Sequence, residues 1–184
     1  MFKFLYLIIQ RIKNKNKISF NTYIKNLKNI ELNRNIKVHS NVTLDATRGK
    51  IKLGTNVILN RFCFINANKG NVFIGNGTEI NNFTLINGIG GVFIGTNVLI
   101  GPNVQIISYT HNFKDKNMTI KEQGIEKKSI IIEDDVWIGA SAIILAGITI
   151  ARGSVIGANC VITKDTEPFS INVGIPSKKI AIRE

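Results

Sequence analysis

Isoleucine recurs at every sixth residue along one long stretch of this chain. The run consists of Ile132, Ile138, Ile144, Ile150, Ile156 and Ile162. A period of six fits neither the 3.6-residue repeat of an α-helix nor the two-residue alternation of a single strand. A short fixed repeat instead indicates one structural unit that is stacked on itself. Six residues suit one side of a chain that coils as a triangle, with one aliphatic side chain pointing inward from each side.

The same register continues upstream of this run, with a few short irregularities. Its inward positions are Leu32, Val38, Leu44, Leu53, Leu59, Ile65, Ile74, Ile80, Ile86, Ile94, Ile100 and Ile106. Three such positions make one coil, and a coil can bury its aliphatic side chains only when other coils stack above and below it. The sequence therefore predicts an all-β domain, a parallel β-helix of about six coils.

The repeat is interrupted once by a long insertion, between Ile106 and Ile132. We expect residues 107–131 to leave the prism as an excursion loop, since long loops in compact folds are usually either functional or disordered. The β-helix is then predicted over residues 32–167. An N-terminal helical or connecting segment would precede it over residues 1–31, and a charged C-terminal tail would follow over residues 168–184.

The first residues after Met1 are apolar, but the apolar stretch at residues 2–12 is too short to span a bilayer. It also lacks the small-residue cleavage site of a signal peptide. Two interpretations stay open for this segment. It could form a helix that packs on the base of the prism or on a neighbouring chain, or it could make a weak membrane-surface contact through residues 1–20, helped by the basic residues that follow it.

Composition restricts the partners and the compartment. Twenty-four Lys and Arg residues against 12 Asp and Glu give a net charge of +12, which indicates either a solvated basic surface or an anionic partner such as a phosphate-bearing cofactor. No nucleic-acid motif accompanies this charge, so no nucleic-acid partner is predicted. The two cysteines, Cys63 and Cys160, fall at corner positions of the repeat and are expected to be small buried residues without a disulfide, as in a reducing cytoplasm.

Only two histidines are present, which is one fewer than the three metal ligands of a γ-type carbonic anhydrase, and no metal site is predicted. His39 lies in the first predicted coil and is expected to face solvent. His111 lies where the repeat breaks and the excursion begins. An imidazole held at the start of a loop on a rigid scaffold can act as a general base near neutral pH, although an ordinary loop histidine would look the same in the sequence.

The repeats, the loop histidine and four further segments together resemble the hexapeptide-repeat acyltransferases. Those segments are residues 134–140, 146–150, 157–165 and 173–178. Within the family, the chain is similar to the branch of galactoside, maltose and nodulation-factor O-acetyltransferases and polysaccharide O-acetyltransferases, over residues 32–182. The resemblance implies a left-handed parallel β-helix, a homotrimer, and acetyl-CoA bound in the cleft between adjacent subunits.

The resemblance also implies roles for individual residues on the acceptor side. His111 matches the catalytic base. Asn81 matches an asparagine that positions the sugar acceptor, with Asn82 beside it as the alternative. Trp137 is expected to support the cleft or to contact the acceptor or the cofactor. The related galactoside enzymes carry an acidic acceptor-binding residue where this chain has Ile89, so the acceptor pocket is expected to differ from theirs.

For the co-substrate, the resemblance implies three groups of contacts with acetyl-CoA. Ala140 and Ala158 match positions where the coil backbone meets the pantetheine arm. Thr163 and Lys164 match a pair near the nucleotide end. Lys178 and Arg183 would meet the phosphates, as a point charge and a planar fork respectively.

These assignments predict an acetyl-CoA-dependent O-acetyltransferase that acts on a sugar hydroxyl in polysaccharide or glycan modification. We expect the protein in the cytoplasm. If residues 1–20 contact the membrane surface, it would lie at the inner face of the membrane as a peripheral protein. Two alternatives use the same scaffold. One is an N-acetyltransferase of an amino sugar, and the other is a non-catalytic β-helix adaptor, which would not require His111.

Overall fold

The computed structural model describes residues 14–67 and 69–184. The helix expected at residues 2–12 lies outside the described residues, as does most of the segment considered for membrane contact. None of the helices in the described ranges is long and apolar enough to span a membrane.

Most of the chain winds around three parallel sheets, which form the three faces of a prism. The first sheet contains β1 (Lys17–Ile18), β4 (Lys37–Val38), β7 (Ile58–Leu59), β10 (Glu79–Ile80), β13 (Leu99–Ile100), β18 (Trp137–Ile138), β21 (Val155–Ile156), β23 (Ser170–Val173) and β24 (Lys178–Ile182). The second sheet contains β2 (Tyr23–Lys25), β5 (Thr43–Asp45), β8 (Phe64–Asn66), β11 (Leu85–Asn87), β14 (Gln105–Ile107), β19 (Ile143–Ile144) and β22 (Val161–Ile162). The third sheet contains β3 (Ile30–Leu32), β6 (Lys50–Leu53), β9 (Asn71–Ile74), β12 (Val92–Ile94), β17 (Ile130–Ile132) and β20 (Thr149–Ile150).

The register of the sheets places each inward aliphatic directly above another. In the first sheet, for example, Ile80 pairs with Ile100 and Ile100 pairs with Ile138. All three are almost fully buried, because successive side chains of a strand point to opposite faces and the inward ones meet in the prism. The parallel β-helix predicted from the six-residue repeat is therefore confirmed, and the arrangement is consistent with the left-handed coil that the resemblance implies.

The β-helix has about seven turns, one more than the six coils predicted from the sequence. The additional turn is formed by β1, β2 and β3, where Ile18 pairs with Val38 and Ile24 pairs with Leu44. Both isoleucines keep the six-residue step, but lysines and asparagines surround them, and this composition is typical of a connecting segment. The boundary predicted at residue 32 is therefore too late, because the β-helix already begins at Lys17.

The turns stack so closely that several corner positions accept only glycine. A Cβ atom added at Gly75 would lie 2.3 Å from the carbonyl oxygen of Gly95, one coil above. Because the obstructing atom belongs to the backbone, no side-chain rotation could relieve the contact. This close approach explains why glycine follows the inward aliphatic in several repeats.

Between β14 and β17 the chain leaves the prism, as the break in the repeat predicted. The excursion contains an antiparallel hairpin of β15 (Tyr109–His111) and β16 (Ile125–Lys127), with a short helix, α1 (Ile120–Gln123), at its outer end. The side-chain oxygen of Thr119 accepts a hydrogen bond from the Glu122 N–H, and Glu122 in turn accepts from the Thr119 N–H. This capping box fixes the start of α1. The excursion is thus an ordered structure.

The C-terminal residues extend the first sheet, whereas the sequence predicted only a charged tail over residues 168–184. Strand β23 pairs in parallel with β21, and β24 turns back to pair antiparallel with β23. These strands cover the open end of the last full turn, whose backbone N–H and C=O groups would otherwise lack partners.

Candidate active site

The hairpin that carries His111 is anchored at its base by a buried serine. The Ser108 hydroxyl donates a hydrogen bond to the carbonyl of Asn87 at 2.8 Å and accepts one from the N–H of Gly90 at 2.9 Å. The carbonyl of Ser108 also accepts from the N–H of Lys128 at 3.1 Å. The two ends of the excursion are therefore tied to each other and to the coil beneath them, which gives His111 a fixed position relative to the prism.

The outer half of the excursion is held together by Gln123. Its Nε2 atom donates to the carbonyls of Asp115 at 2.8 Å and Met118 at 3.1 Å, while its Oε1 accepts from the N–H of Asp115 at 3.0 Å. The side chain of Asn112 donates to the Gln123 carbonyl at 2.9 Å. These contacts close the loop on itself, and they were not foreseen from the sequence because they depend on hairpin pairing that leaves no periodic signal.

The side chain of His111 is exposed and faces a cleft of about 350 Å³ within the excursion. Phe113, Asp115, Gln123 and Glu126 line the same cleft. The imidazole lies edge-on to the ring of Tyr109, with 6.2 Å between the ring centroids. An accessible imidazole on an anchored hairpin can take a proton from a hydroxyl group that enters the cleft.

The prism has one corner between each pair of neighbouring sheets, and three of the other predicted site residues share one of these corners. We name the corner between the first and second sheets the first corner. Asn81, Ala140 and Ala158 all lie there, following β10, β18 and β21 respectively. The Ala140 carbonyl accepts from the N–H of Asn159, at 2.9 Å, so the two alanines occupy successive coils. Their small side chains leave the backbone of this corner accessible to a long, thin ligand.

The asparagine assigned to the acceptor is partly engaged in the fold. The side-chain oxygen of Asn81 accepts from the N–H of Asn82 at 2.9 Å, and the side-chain oxygen of Asn82 accepts from the N–H of Arg61 at 3.0 Å. Both carbonyl oxygens therefore shape the first corner. The amide nitrogen of Asn81 is the atom that would meet an acceptor hydroxyl.

The second corner, between the second and third sheets, carries the excursion and two of the predicted cofactor residues. Thr163 and Lys164 are exposed there, two coils above the excursion with His111. Ile89 also lies at the second corner, one coil below the excursion. Trp137 lies elsewhere, on the outer face of the first sheet, where it pairs in register with Leu99 and is 54% exposed.

The remaining cofactor residues lie toward the C-terminus. Lys178 begins β24 and is exposed. The Nη1 atom of Arg183 donates to Asp135 Oδ2 at 3.1 Å and to the carbonyl of Gly153 at 3.0 Å, so its guanidinium is held at the third corner, between the third and first sheets. The structure thus distributes the predicted acetyl-CoA residues over more than one corner of a single chain.

The conspicuous acidic pair before Trp137 has a structural role. Asp134 accepts a hydrogen bond from the N–H of Thr96 at 2.6 Å, and this bond holds the pKa of its carboxyl below the usual value. Asp135 accepts from Arg183. Asp134 therefore connects neighbouring coils and Asp135 ties the C-terminal residues to the third corner, and neither lies on the excursion with His111.

Burial makes Cys63 an unsuitable nucleophile. Cys63 and Cys160 are buried and free, as predicted. Burial raises the pKa of the Cys63 thiol to about 11, so this thiol stays protonated at neutral pH, and a thiol is a far weaker nucleophile than a thiolate.

Comparison with known proteins identifies the scaffold. A family model described as bacterial transferase hexapeptide (six repeats) matches residues 129–164. A maltose O-acetyltransferase of Clostridium difficile 630, known from its crystal structure, is 32% identical, with a TM-score of 0.65 and a match that covers 71% of this chain and 68% of that one. This chain belongs to the hexapeptide-repeat acyltransferases. The resemblance inferred from its motifs is confirmed.

Two other members of the hexapeptide-repeat acyltransferases extend the comparison. An acetyltransferase of Vibrio cholerae O1 biovar eltor, crystallised with acetyl-coenzyme A, is 30% identical, with a TM-score of 0.65 and coverage of 70% of this chain and 69% of that one. The galactoside O-acetyltransferase of Lactococcus lactis is 37% identical over 86 residues, which are 46% of this chain and 40% of that protein. This chain spans less than half the length of the curated relatives that it matches.

Proposed function

We propose that this protein transfers an acetyl group from acetyl-CoA to a hydroxyl group of a sugar. The observation that carries the proposal is the exposed imidazole of His111, held on an anchored hairpin above a cleft of about 350 Å³ in a chain of the hexapeptide-repeat acyltransferase family. The related maltose and galactoside O-acetyltransferases support a sugar as the acceptor. Polysaccharide or glycan modification is the setting we propose.

In this mechanism, His111 acts on the acceptor as a general base. An imidazole nitrogen takes the proton of the sugar hydroxyl while that oxygen attacks the carbonyl carbon of the acetyl thioester. The tetrahedral intermediate then collapses, the bond between carbon and sulfur breaks, and the imidazolium returns its proton to the departing thiolate. General acid–base catalysis of this kind contributes about 10²–10⁴-fold to the rate.

We place acetyl-CoA along the corner residues that the resemblance singled out. The pantetheine arm would run past Ala140 and Ala158, with Thr163 and Lys164 near the nucleotide and Lys178 near the phosphates. Arg183 can join them only by sharing or releasing Asp135, which now accepts from its guanidinium. The acetyl-CoA found in the related Vibrio enzyme supports this choice of co-substrate.

The proposed site requires more than one chain. His111 belongs to the excursion at the second corner, whereas Asn81, Ala140 and Ala158 lie at the first corner. A neighbouring chain can bring its own first corner against the cleft of the excursion and so unite the base, the acceptor and the thioester. We therefore propose a homotrimer, the closed assembly that the family resemblance implies.

We propose that the enzyme works in the cytoplasm. The two cysteines are free and buried, which suits a reducing compartment. A peripheral position at the inner face of the membrane remains a prediction about residues 1–20, most of which lie outside the described part of the chain.

The experiment that tests the function is an acetyl-CoA assay with a panel of acceptors. Free thiol release is measured with sugars, nucleotide sugars and oligosaccharides, and we expect release that depends on a hydroxyl-bearing saccharide. Mild alkali should remove the acetyl group from an ester product and leave an amide intact, which separates O-acetylation from N-acetylation. If millimolar acetyl-CoA neither raises the melting temperature nor yields thiol with any acceptor, the chain is a non-catalytic adaptor.

A further inference from the structure

Two phenylalanine rings form an exposed stack at the first corner, and we name Phe62 and Phe83 the phenyl pair. Their rings are 5.0 Å apart and almost parallel, with 3° between their planes. They follow β7 and β10, so they lie in adjacent coils. Phe62 is 47% exposed and Phe83 is 60% exposed. Two neighbouring aromatic rings that are about half exposed to water indicate a contact with a ligand or partner.

The backbone at these two positions makes the choice of phenylalanine unusual. Both residues have left-handed φ values, 62° for Phe62 and 60° for Phe83. The equivalent positions in the coils on either side are Asn41 and Asn103, also with positive φ, and asparagine adopts this conformation readily, whereas a bulky residue rarely does. Phenylalanine at these positions has two costs, the left-handed backbone of a bulky residue and the exposure of an apolar ring to water. Such costs at adjacent positions point to a function.

A cationic cleft adjoins the phenyl pair. Lys17, Lys37 and Arg61 line a cleft of about 330 Å³, together with His39, and Arg61 directly precedes Phe62. We name these four residues the basic cleft. The ion pairs between described residues involve neither Lys17, Lys37 nor Arg61. Three unpaired cations around one concave surface attract an anionic group.

The order of the coils relates both features to the proposed active site. Strands β1, β4, β7, β10, β13, β18 and β21 stack in that sequence. Asn81 follows β10, and the alanines proposed for the pantetheine arm follow β18 and β21. Phe83 lies in the same corner as Asn81, whereas Phe62 and the basic cleft lie on the side of Asn81 away from these alanines, around β1 to β7. An acceptor that meets the thioester near Asn81 would therefore extend away from acetyl-CoA, over the phenyl pair and toward the basic cleft.

We infer that the phenyl pair and the basic cleft bind an acidic saccharide as the extended part of the acceptor. This inference rests on the proposed function, because it takes the acceptor to be a sugar. A pyranose ring has a face of C–H groups that packs against aromatic rings, and a carboxylate or phosphate on the neighbouring residue would be bound by Lys17, Lys37 and Arg61. The acceptor is then an acidic oligosaccharide or a phosphorylated sugar, and a neutral monosaccharide would bind only weakly.

The test is direct binding without acetyl-CoA, so it does not depend on turnover. The full-length protein is applied to an array of uronic-acid, phosphorylated and neutral oligosaccharides of matched length. We expect retention on the acidic saccharides only. Retention on the uronic acids alone assigns a carboxylate, and retention on the phosphorylated members alone assigns a phosphate. Binding without transfer in the assay above would reject the proposed function and leave this site standing.

The variants use residues that suit the backbone. In Phe62→Asn with Phe83→Asn, each ring is replaced by the residue that adjacent coils carry at this position, and we expect binding about tenfold or more weaker, with the fold intact. Lys37→Gln with Arg61→Gln should weaken binding by a similar factor and reduce its dependence on salt. Lys28→Gln, an exposed lysine at the second corner, is the charge control and should bind normally.

Three results would overturn the inference. The first is no retention of any acidic saccharide, and the second is unchanged retention in the phenylalanine or the cationic variant. The third is an asparagine variant that loses its native oligomeric state by light scattering together with its binding, which would assign the phenyl pair to contact between subunits.

Discussion

Replacing His111 with alanine is expected to lower kcat/KM for acetyl transfer by about 10²–10⁴-fold. The loss should fall mainly on kcat, because the imidazole acts on the reacting hydroxyl and is not among the residues assigned to acetyl-CoA. The melting temperature should change little, since the His111 side chain is exposed and the hairpin is anchored through Ser108 and Gln123. The measurement is steady-state thiol release, with thermal unfolding in parallel.

Two controls separate a chemical role of His111 from a structural one. Added imidazole should restore part of the activity of His111→Ala, since a small base can enter the space left by the side chain. Lys127→Gln changes an exposed residue of β16 that pairs with Tyr109 in the same hairpin, and it should retain nearly full activity. Wild-type turnover in His111→Ala, or an equal loss in Lys127→Gln, would contradict the assignment of the base.

Replacing Ile132 with alanine is expected to lower the free energy of unfolding by about 2–5 kcal/mol. Ile132 is 1% exposed and pairs in register with Ile94 and Ile150, both of which point into the prism. Removing its side chain leaves a cavity between stacked coils that the narrow prism cannot close. The measurement is urea unfolding at a fixed protein concentration, because association of subunits would otherwise shift the transition.

Ile131 supplies a matched control for this core substitution. It is the same residue type on the same strand, but its side chain points outward and is 41% exposed. Ile131→Ala should cost less than about 1 kcal/mol, as expected for a surface position. Equal destabilisation by the two substitutions would contradict an inward register set by the six-residue repeat.

Much of the fold could be predicted because the inward positions repeat with a fixed period. Each turn buries its aliphatics against the turns above and below, so Ile80, Ile100 and Ile138 reveal the register without any other information. The first turn was missed because Ile18 and Ile24 lie among lysines and asparagines, and the outward residues of a coil are free to vary. Only the inward residues show the register of a turn. Where the outward residues have the composition of a linker, as they do around Ile18 and Ile24, the turn is difficult to recognise in the sequence.

The site was less predictable, because contacts between distant residues decide it. The motifs identified His111, but the hydrogen bonds of Gln123 that close the excursion have no counterpart in the repeat. The contact between Arg183 and Asp135 joins residues 48 positions apart, and it changes what Arg183 can offer to a phosphate. The left-handed backbone at Phe83 likewise became visible only in the three-dimensional structure, since the sequence pattern treats that position as an ordinary corner.

A crystal structure of the protein with bound coenzyme A is the most direct test of the central claim, which is that His111 performs the chemistry at a thioester held by the corner alanines. We predict that the pantetheine arm runs past Ala140 and Ala158, and that its sulfur lies about 3–4 Å from an imidazole nitrogen of His111, or one bridging water away. Coenzyme A bound on another surface, with the His111 ring directed away from its sulfur, would contradict the account.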